Sequence, residues 1–227
     1  MPNNQLTSEY WFSWYDGLTM STWISIGAPT TNSADATVDI YIGNTKMNNT
    51  PYVIPPGGQV SPSFPGTFAG PVRVVSTNGQ KVIASERQIF GSSFVETLGV
   101  PGNQLTTDYW FSWYDGLTMG TWVSIGAPIN NSANATVDIY LGNTKMNSTP
   151  YVIPPGGQAS PIFPGTFAGW VRVVSTNGQN LIANERQIFG SSFTETLGVP
   201  NNQLTTEYWF SWYDGVYMST WISIGKP

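Results

Sequence analysis

The chain has 227 residues, of which 40% are apolar and only 9% charged, and its formal net charge is −5. The 8 cations form no basic patch that could neutralise phosphates, so we expect no nucleic-acid partner. The sequence contains no cysteine and no histidine, which excludes disulfides, thiol nucleophiles, the usual zinc sites and every histidine-based catalytic triad.

The amino-acid composition and the start of the chain indicate where the protein is located in or outside the cell. Gly, Asn, Ser, Thr and Pro dominate where Lys and Glu are scarce, which is more typical of extracellular β proteins, so we expect a secreted or cell-surface protein. No apolar run is long enough to span a membrane, and no signal peptide follows Met1. Residues 3–7 match residues 201–205, so we interpret Met1 as a start placed at a repeat boundary of a longer array.

The strongest pattern is an internal repeat. Residues 5–103 align with 104–202 at a period of 99 without a gap, and 17 positions differ. A third, partial unit covers 203–227. Each unit begins with a dense aromatic phrase, EYWFSWYDG in the first unit. We name the three aromatic segments by their residues: 9–26, 108–126 and 207–225.

In chain order, each unit predicts short strands. The segment 9–26 predicts a hairpin of strands 10–15 and 22–26. Further predicted strands are 36–42, 50–54, 60–64, 72–77 and 81–87. Asn78-Gly79 predicts the turn of a second hairpin, and 93–99 predicts one helical turn ended by Gly99.

These elements define the expected fold. We predict an all-β protein of two tandem antiparallel β-sandwich domains of immunoglobulin-like size, with an extra aromatic β-hairpin; a barrel is the alternative. The preferred pairing joins residues 36–90 with the hairpin at 108–126, and residues 135–189 with the hairpin at 207–225. The predicted domains are therefore a leading hairpin at 1–29, one repeat at 30–128 and another at 129–227. Deleting 203–227 should then destabilise the second domain.

One hairpin is left over under any pairing, and it is too apolar to stay exposed. We therefore expect it to dock on a neighbouring repeat or on another copy of the chain. Strand alternation places Tyr10, Phe12 and Trp14 on the core face. The opposite face carries rings beside hydroxyls, which suits either packing or sugar binding. The candidate interface or ligand residues are Trp11, Tyr15, Trp23, Trp110, Tyr114, Trp122, Trp209, Tyr213 and Trp221, with Trp170 as a separate candidate.

Catalysis is not expected. The few carboxylates of a unit suit structural pairing better than a pair at catalytic separation; Arg73 or Arg87 could neutralise Asp39. A calcium site at Asp35 and Asn32 is weakly supported, because Asn134 replaces Asp35 in the second unit. We expect no cofactor and no metal. The sequons at Asn48, Asn130, Asn134 and Asn147 indicate only exposed loops.

The phrases YWFSWYDG…STWISIG, PVRVVSTNG and IASERQIFG…FVETLGVP resemble a tandem repeat of large secreted or surface proteins of bacteria, along the whole unit. The resemblance implies an extracellular array and no defined activity. The preferred function is a structural or adhesive repeat module of a stalk, sheath or self-assembling filament, whose aromatic hairpins dock adjoining units or molecules. The alternative is a carbohydrate-binding module that recognises polysaccharide through the exposed rings.

Overall fold

The computed structural model describes residues 6–226, which are built almost entirely of strands and turns. The strands are antiparallel, so the all-β, antiparallel part of the prediction is confirmed. We call residues 5–103 unit 1 and residues 104–202 unit 2. The strands of unit 1 are β1 (Glu9–Phe12), β2 (Tyr15–Asp16), β3 (Ser21–Gly27), β4 (Ala36–Ile42), β5 (Thr45–Lys46), β6 (Tyr52–Ile54), β7 (Gln59–Val60), β8 (Phe68–Ala69), β9 (Val72–Ser76), β10 (Ile83–Phe90), β11 (Ser93–Leu98) and β12 (Val100–Pro101).

Unit 2 repeats this order. Its strands are β13 (Asp108–Phe111), β14 (Tyr114–Asp115), β15 (Gly120–Gly126), β16 (Ala135–Leu141), β17 (Thr144–Lys145), β18 (Tyr151–Ile153), β19 (Gln158–Ala159), β20 (Phe167–Ala168), β21 (Val171–Ser175), β22 (Ile182–Phe189), β23 (Ser192–Leu197) and β24 (Val199–Pro200). A 3₁₀ turn follows the last strand of each unit, at Gly102–Gln104 and Asn201–Gln203.

Each unit contains two larger sheets. Sheet A1 has the order β12-β1-β9-β4-β5, with β6 added to β4, and sheet B1 has the order β11-β10-β3-β7. In unit 2, sheet A2 has the order β17-β16-β21-β13-β24 with β18 on β16, and sheet B2 has the order β19-β15-β22-β23. The four sheets suggest a four-bladed, propeller-like arrangement rather than two clearly separate sandwiches.

The aromatic segment of each unit is not a hairpin, which corrects the prediction. β1 pairs with β9 and β12 in sheet A1, whereas β3 pairs with β10 and β7 in sheet B1. The segment therefore crosses from one sheet to the other. The physical reason is burial: Tyr10 and Phe12 from one sheet and Ile24 and Ile26 from the other fill one shared core.

The preferred pairing of segments with units was also wrong. The strands of residues 36–90 pair with those of the preceding segment, 9–26, and residues 135–189 pair with 108–126. The leading hairpin predicted at 1–29 is therefore part of the first pair of sheets, and 207–225 is the segment without strand partners. The expected dependence of the second domain on residues 203–227 loses its basis.

Two further local predictions were wrong. Asn78-Gly79 joins β9 to β10, which belong to different sheets, and the Asn78 amide instead donates to the Asp35 carbonyl at 2.8 Å. Residues 93–98 form β11, which pairs with β10 from Phe90↔Ser93 to Ser85↔Leu98. The tight turn between these two strands uses Gly91 at φ +58°.

Three apolar clusters hold the described residues together. One lies within each unit, between its two larger sheets; both contain a buried tyrosine pair, Tyr10 with Tyr15 and Tyr109 with Tyr114. The third joins the units, with Trp11 and Val100 on one side and Ile182 on the other. Burying this third cluster ties the positions of the two units together.

Candidate functional site

The candidate site is the contact between the two units, where buried polar groups converge on Trp14. The chain bends at Ser13 and Trp14, between β1 and β2, so the side-chain alternation slips by one residue. Tyr15 consequently points into the core of unit 1, while Trp14 leaves that core and is fully buried against unit 2. The expected place of Trp14 on the core face was therefore wrong.

A carboxylate from unit 2 enters unit 1 beside Trp14. The indole Nε1 of Trp14 donates to both carboxylate oxygens of Glu195, at 3.0 and 3.1 Å. Gln88 Nε2 of unit 1 donates to the same carboxylate at 3.0 Å, and Asn184 Nδ2 of unit 2 also donates to it. Donors from both units thus converge on one buried acceptor, which fixes their relative position.

A cation lies over the same indole. The guanidinium carbon of Arg186 is 3.8 Å from the centre of the Trp14 ring and 5.5 Å from that of Trp122. A desolvated cation over an indole face is a favourable electrostatic contact, of about 2 kcal/mol or more when buried. Unit 2 therefore contributes both a hydrogen-bonded carboxyl group and a stacked cation to the surroundings of one tryptophan of unit 1.

We call the receiving surface of unit 1 the socket and define it by Trp11, Ser13, Trp14, Glu86 and Gln88. We call the inserting surface of unit 2 the ridge and define it by Ile182, Asn184, Arg186, Phe193 and Glu195.

Contacts around the socket extend the joint. Leu105, Ile129 and Leu197 pack on the apolar cluster of Trp11, Val100 and Ile182. At the edge strands, the Phe193 amide donates to Ser93 Oγ at 3.0 Å, and the rings of Phe90 and Phe193 lie 6.2 Å apart.

The joint is electrostatically unusual because it buries several ionisable groups. Burial raises the pKa of Glu195, although Trp14, Asn184 and Arg186 oppose that shift. Burial, together with the nearby Glu195, raises the pKa of Glu86 well above its ordinary value. Neither carboxylate oxygen of Glu86 has a hydrogen-bond partner within the described part of the chain. Protonated carboxyls are therefore favoured at the joint, since a buried unpaired charge costs several kcal/mol.

The corresponding surface of unit 2 is open. It encloses a cavity of about 340 Å³ whose lining includes Trp110, Ser112, Trp113, Glu185 and Gln187, which are the counterparts of the five socket residues. Trp113 is half-buried where Trp14 is fully buried. Burial raises the pKa of Glu185 to about 8.

Unit 1 carries the matching ridge on its outer surface. Glu96, the counterpart of Glu195, is exposed and lies 3.9 Å from Arg87, the counterpart of Arg186. Phe94 is 56% exposed, whereas its counterpart Phe193 is 5% exposed inside the joint. One filled joint and two unfilled half-joints are thus present in the same chain.

The ten candidate residues fall into three groups. Trp11, Tyr15 and Tyr114 are fully buried. Trp23, Trp110, Trp122 and Trp170 are partly buried, and Trp209, Tyr213 and Trp221 are exposed. The hydroxyl of Tyr15 donates to the Thr22 carbonyl at 2.8 Å and accepts from the Phe64 amide at 2.7 Å, so this tyrosine has a structural role.

Trp170 touches a neighbouring segment. Its ring centre lies 5.1 Å from that of Trp110, and a Cβ built on Gly225 would lie 3.0 Å from its own Cβ. The third aromatic segment therefore rests against Trp170.

The carboxylates pair differently from expectation in one case. Asp39 binds Lys46 at 2.8 Å rather than Arg73 or Arg87, while Arg73 binds Glu9 at 2.5 Å and Arg87 lies across the strand pair from Glu96. In the loop considered for calcium, the Asn32 amide donates to the Lys81 carbonyl at 2.8 Å. No group of three or more potential metal-ligating side chains gathers among residues 6–226.

Sequence reasoning missed the polar half of the joint: Trp14, Gln88, Arg186 and Glu195 were not among the candidates. The available signal was the Glu-Arg pair in a strand that otherwise reads as buried, at 86–87 and 185–186. Because the units are nearly identical, the sequence could not show which copy of each residue is covered.

Comparison with known protein families, with curated proteins and with solved structures finds no match. Within residues 6–226 no helix has the length and apolarity to cross a membrane.

Proposed function

We propose that the chain is a structural or adhesive repeat module of a secreted or surface-exposed array, in which each unit docks on the next by inserting its ridge into the preceding socket. The observation that carries this proposal is the Glu195 carboxylate of unit 2, buried against Trp14 and Gln88 of unit 1. The resemblance to a bacterial surface repeat supports only the extracellular array in this proposal.

The joint has the properties of a mechanical connection rather than of a ligand site. It combines an apolar cluster with directional hydrogen bonds, so it resists both separation and sliding. Among the rings offered for sugar binding, Trp11, Tyr15 and Tyr114 are fully buried, and those left exposed belong to the third segment, which has no strand partners. Polysaccharide binding therefore ranks below the structural role.

In this proposal, each unit is one β-sandwich made from its A and B sheets. Support comes from the two unit cores, each of which draws residues from both of its sheets. The third cluster, between the units, is smaller. The joint then connects two sandwiches: Trp11 of sheet A1 and Gln88 of sheet B1 in the first both contact sheet B2 of the second.

Differential scanning calorimetry on the full chain tests the proposal. At a dilute concentration, the wild type should melt in one transition because each unit stabilises the other through the joint. Glu195→Arg places a second cation beside Arg186 and removes the acceptor of Trp14, so it should separate the melting of the two units. Glu96→Arg changes the exposed counterpart and should keep a single transition.

Two separate transitions in the wild type would contradict a mechanical joint. A shift in tryptophan fluorescence on adding cell-wall or plant polysaccharide, with unchanged cooperativity of melting, would favour the carbohydrate-binding alternative instead.

A further inference from the structure

We propose that the open socket of unit 2 binds the ridge of unit 1 in a second copy of this chain, and that the third aromatic segment replaces the first aromatic segment of that copy. This inference rests on the proposed function, because it extends the joint inside the molecule to a joint between molecules.

The two unfilled half-joints are complementary. Unit 2 offers Trp113 and Gln187 as donors around a cavity of about 340 Å³. Unit 1 offers Glu96 and Arg87, the residues whose counterparts fill the internal joint. A second copy is the occupant that the chain itself specifies, because the internal joint already displays this pairing of surfaces.

The third aromatic segment already lies where the next unit would place its own segment. A Cβ built on Gly126 would lie 2.8 Å from Ser13 O and 2.8 Å from Pro71 Cβ. A Cβ built on Gly225 would lie 3.1 Å from Ser112 O and 3.0 Å from Trp170 Cβ, which are the equivalent atoms one unit further along. Unit 2 therefore holds the Gly225 end of the third segment in the position that Gly126 has on unit 1.

The third segment carries the apolar side chains of a core strand, but these side chains are exposed. Phe210 is 65% exposed and Ile224 is 87% exposed, whereas their counterparts Phe12 and Ile26 are buried. The segment 207–225 differs from 9–27 only at Val216 and Tyr217. Both replace residues of an exposed turn, so the segment fits the core of unit 1 without a steric change there.

Exchange follows because the two segments cannot occupy one place. A second copy docked at the open socket would bring residues 9–27 to the position that 207–225 already holds. Replacing one segment by the other exchanges equivalent core contacts, so the net gain is the new joint. The contact is head-to-tail, so it propagates from one molecule to the next.

The test is the solution mass of the full chain, by light scattering and sedimentation velocity from about 1 μM to about 1 mM. We expect the wild-type mass to rise above 24.8 kDa with concentration. Phe210→Asp should keep the monomer mass and leave the dilute melting temperature unchanged, because Phe210 is exposed in the monomer. Tyr217→Asp is the matched control, since Tyr217 belongs to the exposed turn, and it should assemble like the wild type.

Glu96→Arg tests the ridge separately and should weaken assembly at least tenfold. A wild type that stays monomeric over the whole range would overturn the inference, while the single melting transition would still support the joint inside the molecule. Assembly of Phe210→Asp at wild-type strength would overturn the exchange of segments.

Discussion

The socket of unit 1 and the socket of unit 2 are built from the same five residue types, yet only one is filled. Trp14 is fully buried and bonded to Glu195, whereas its counterpart Trp113 lines an open cavity. Full burial of the socket tryptophans and of Ser13 therefore depends on the neighbouring unit, whereas Glu185 and Gln187 stay buried in the open socket. A residue of this repeat is therefore a core residue or a surface residue according to its place in the array.

The ridges differ in sequence as well as in surroundings. At the joint, unit 2 has Ile129 and Asn184 where the exposed unit 1 has Thr30 and Ser85. Ile129 adds apolar surface to the joint. Asn184 donates to Glu195 just as Ser85 Oγ donates to Glu96 at 2.6 Å, so the change from Thr30 to Ile129 is the one that adds a contact to the covered ridge.

The two sockets should differ most in the stability lost on Trp14→Ala and on Trp113→Ala. Removing the buried indole leaves a cavity and takes one of three donors from Glu195, so we expect a loss of about 3–5 kcal/mol in the free energy of unfolding. Removing the half-buried Trp113 should cost about 1 kcal/mol or less. Denaturant unfolding of both variants measures the difference, and equal losses would mean that the filled joint adds nothing.

Stability measured over a range of pH tests the buried carboxyls of the two sockets and of the inserted ridge. The folded protein holds the pKa of Glu185 at about 8 against an ordinary value of 4.5, because of burial. Its contribution to stability is complete below the unfolded pKa and is lost as the pH rises towards about 8. Burial raises the pKa of Glu86 and Glu195 in the same direction.

We therefore expect a higher melting temperature at pH 5 than at pH 8. The free energy of unfolding should be larger at pH 5 by an amount on the order of a few kcal/mol. Glu185→Gln should shrink this difference, since the amide keeps an acceptor for Gln187 without titrating. Greater stability at pH 8 than at pH 5 would show that these carboxyls are ionised in the folded state.

Glu195→Ala and Glu96→Ala compare the two ridges. Loss of Glu195 leaves the donors of Trp14 and Gln88 without their acceptor, at an expected cost of about 1–3 kcal/mol. Loss of the exposed Glu96, which accepts from Ser85 Oγ at 2.6 Å and lies 3.9 Å from Arg87, should cost the dilute monomer no more than about 1 kcal/mol. Thermal unfolding at neutral pH measures the stability of both variants. A Glu195→Ala protein as stable as the wild type would mean that only the apolar cluster stabilises the joint.

The smallest contrast is at the margin of the joint. Asn44 Nδ2 donates to the Pro155 carbonyl across the units at 3.2 Å in an exposed position. Asn44→Ala should cost no more than about 0.5 kcal/mol, and Asn143→Ala, its counterpart away from the filled joint, should cost nothing measurable. A larger loss of stability for Asn143→Ala than for Asn44→Ala would contradict a stabilising contact of Asn44 with Pro155 across the units.

The sequence predicts part of this architecture well, for physical reasons. Alternation in 36–42 and 72–77 correctly predicts strands, because both have one buried face. Alternation fails at Ser13 and Trp14, where a bend shifts the register by one residue and moves Trp14 to the joint. Turn chemistry fails at Asn78-Gly79, because the turn connects two sheets rather than two paired strands.

The site was harder to predict than the fold. The docking of the leftover aromatic segment on another repeat or copy stays a prediction, and strand order could not be deduced from two nearly identical copies. The buried Glu86 and Glu195 contradict the usual avoidance of unpaired carboxylates in cores, so composition gave no reason to place them there.

The most direct test of the joint is a double-mutant cycle between Trp14→Phe and Glu195→Gln, measured by denaturant unfolding of the full chain. We expect a coupling energy of about 1–2 kcal/mol, because the two side chains share hydrogen bonds across the units. A coupling within about 0.3 kcal/mol of zero would contradict it, since the two substitutions would then act as independent sites.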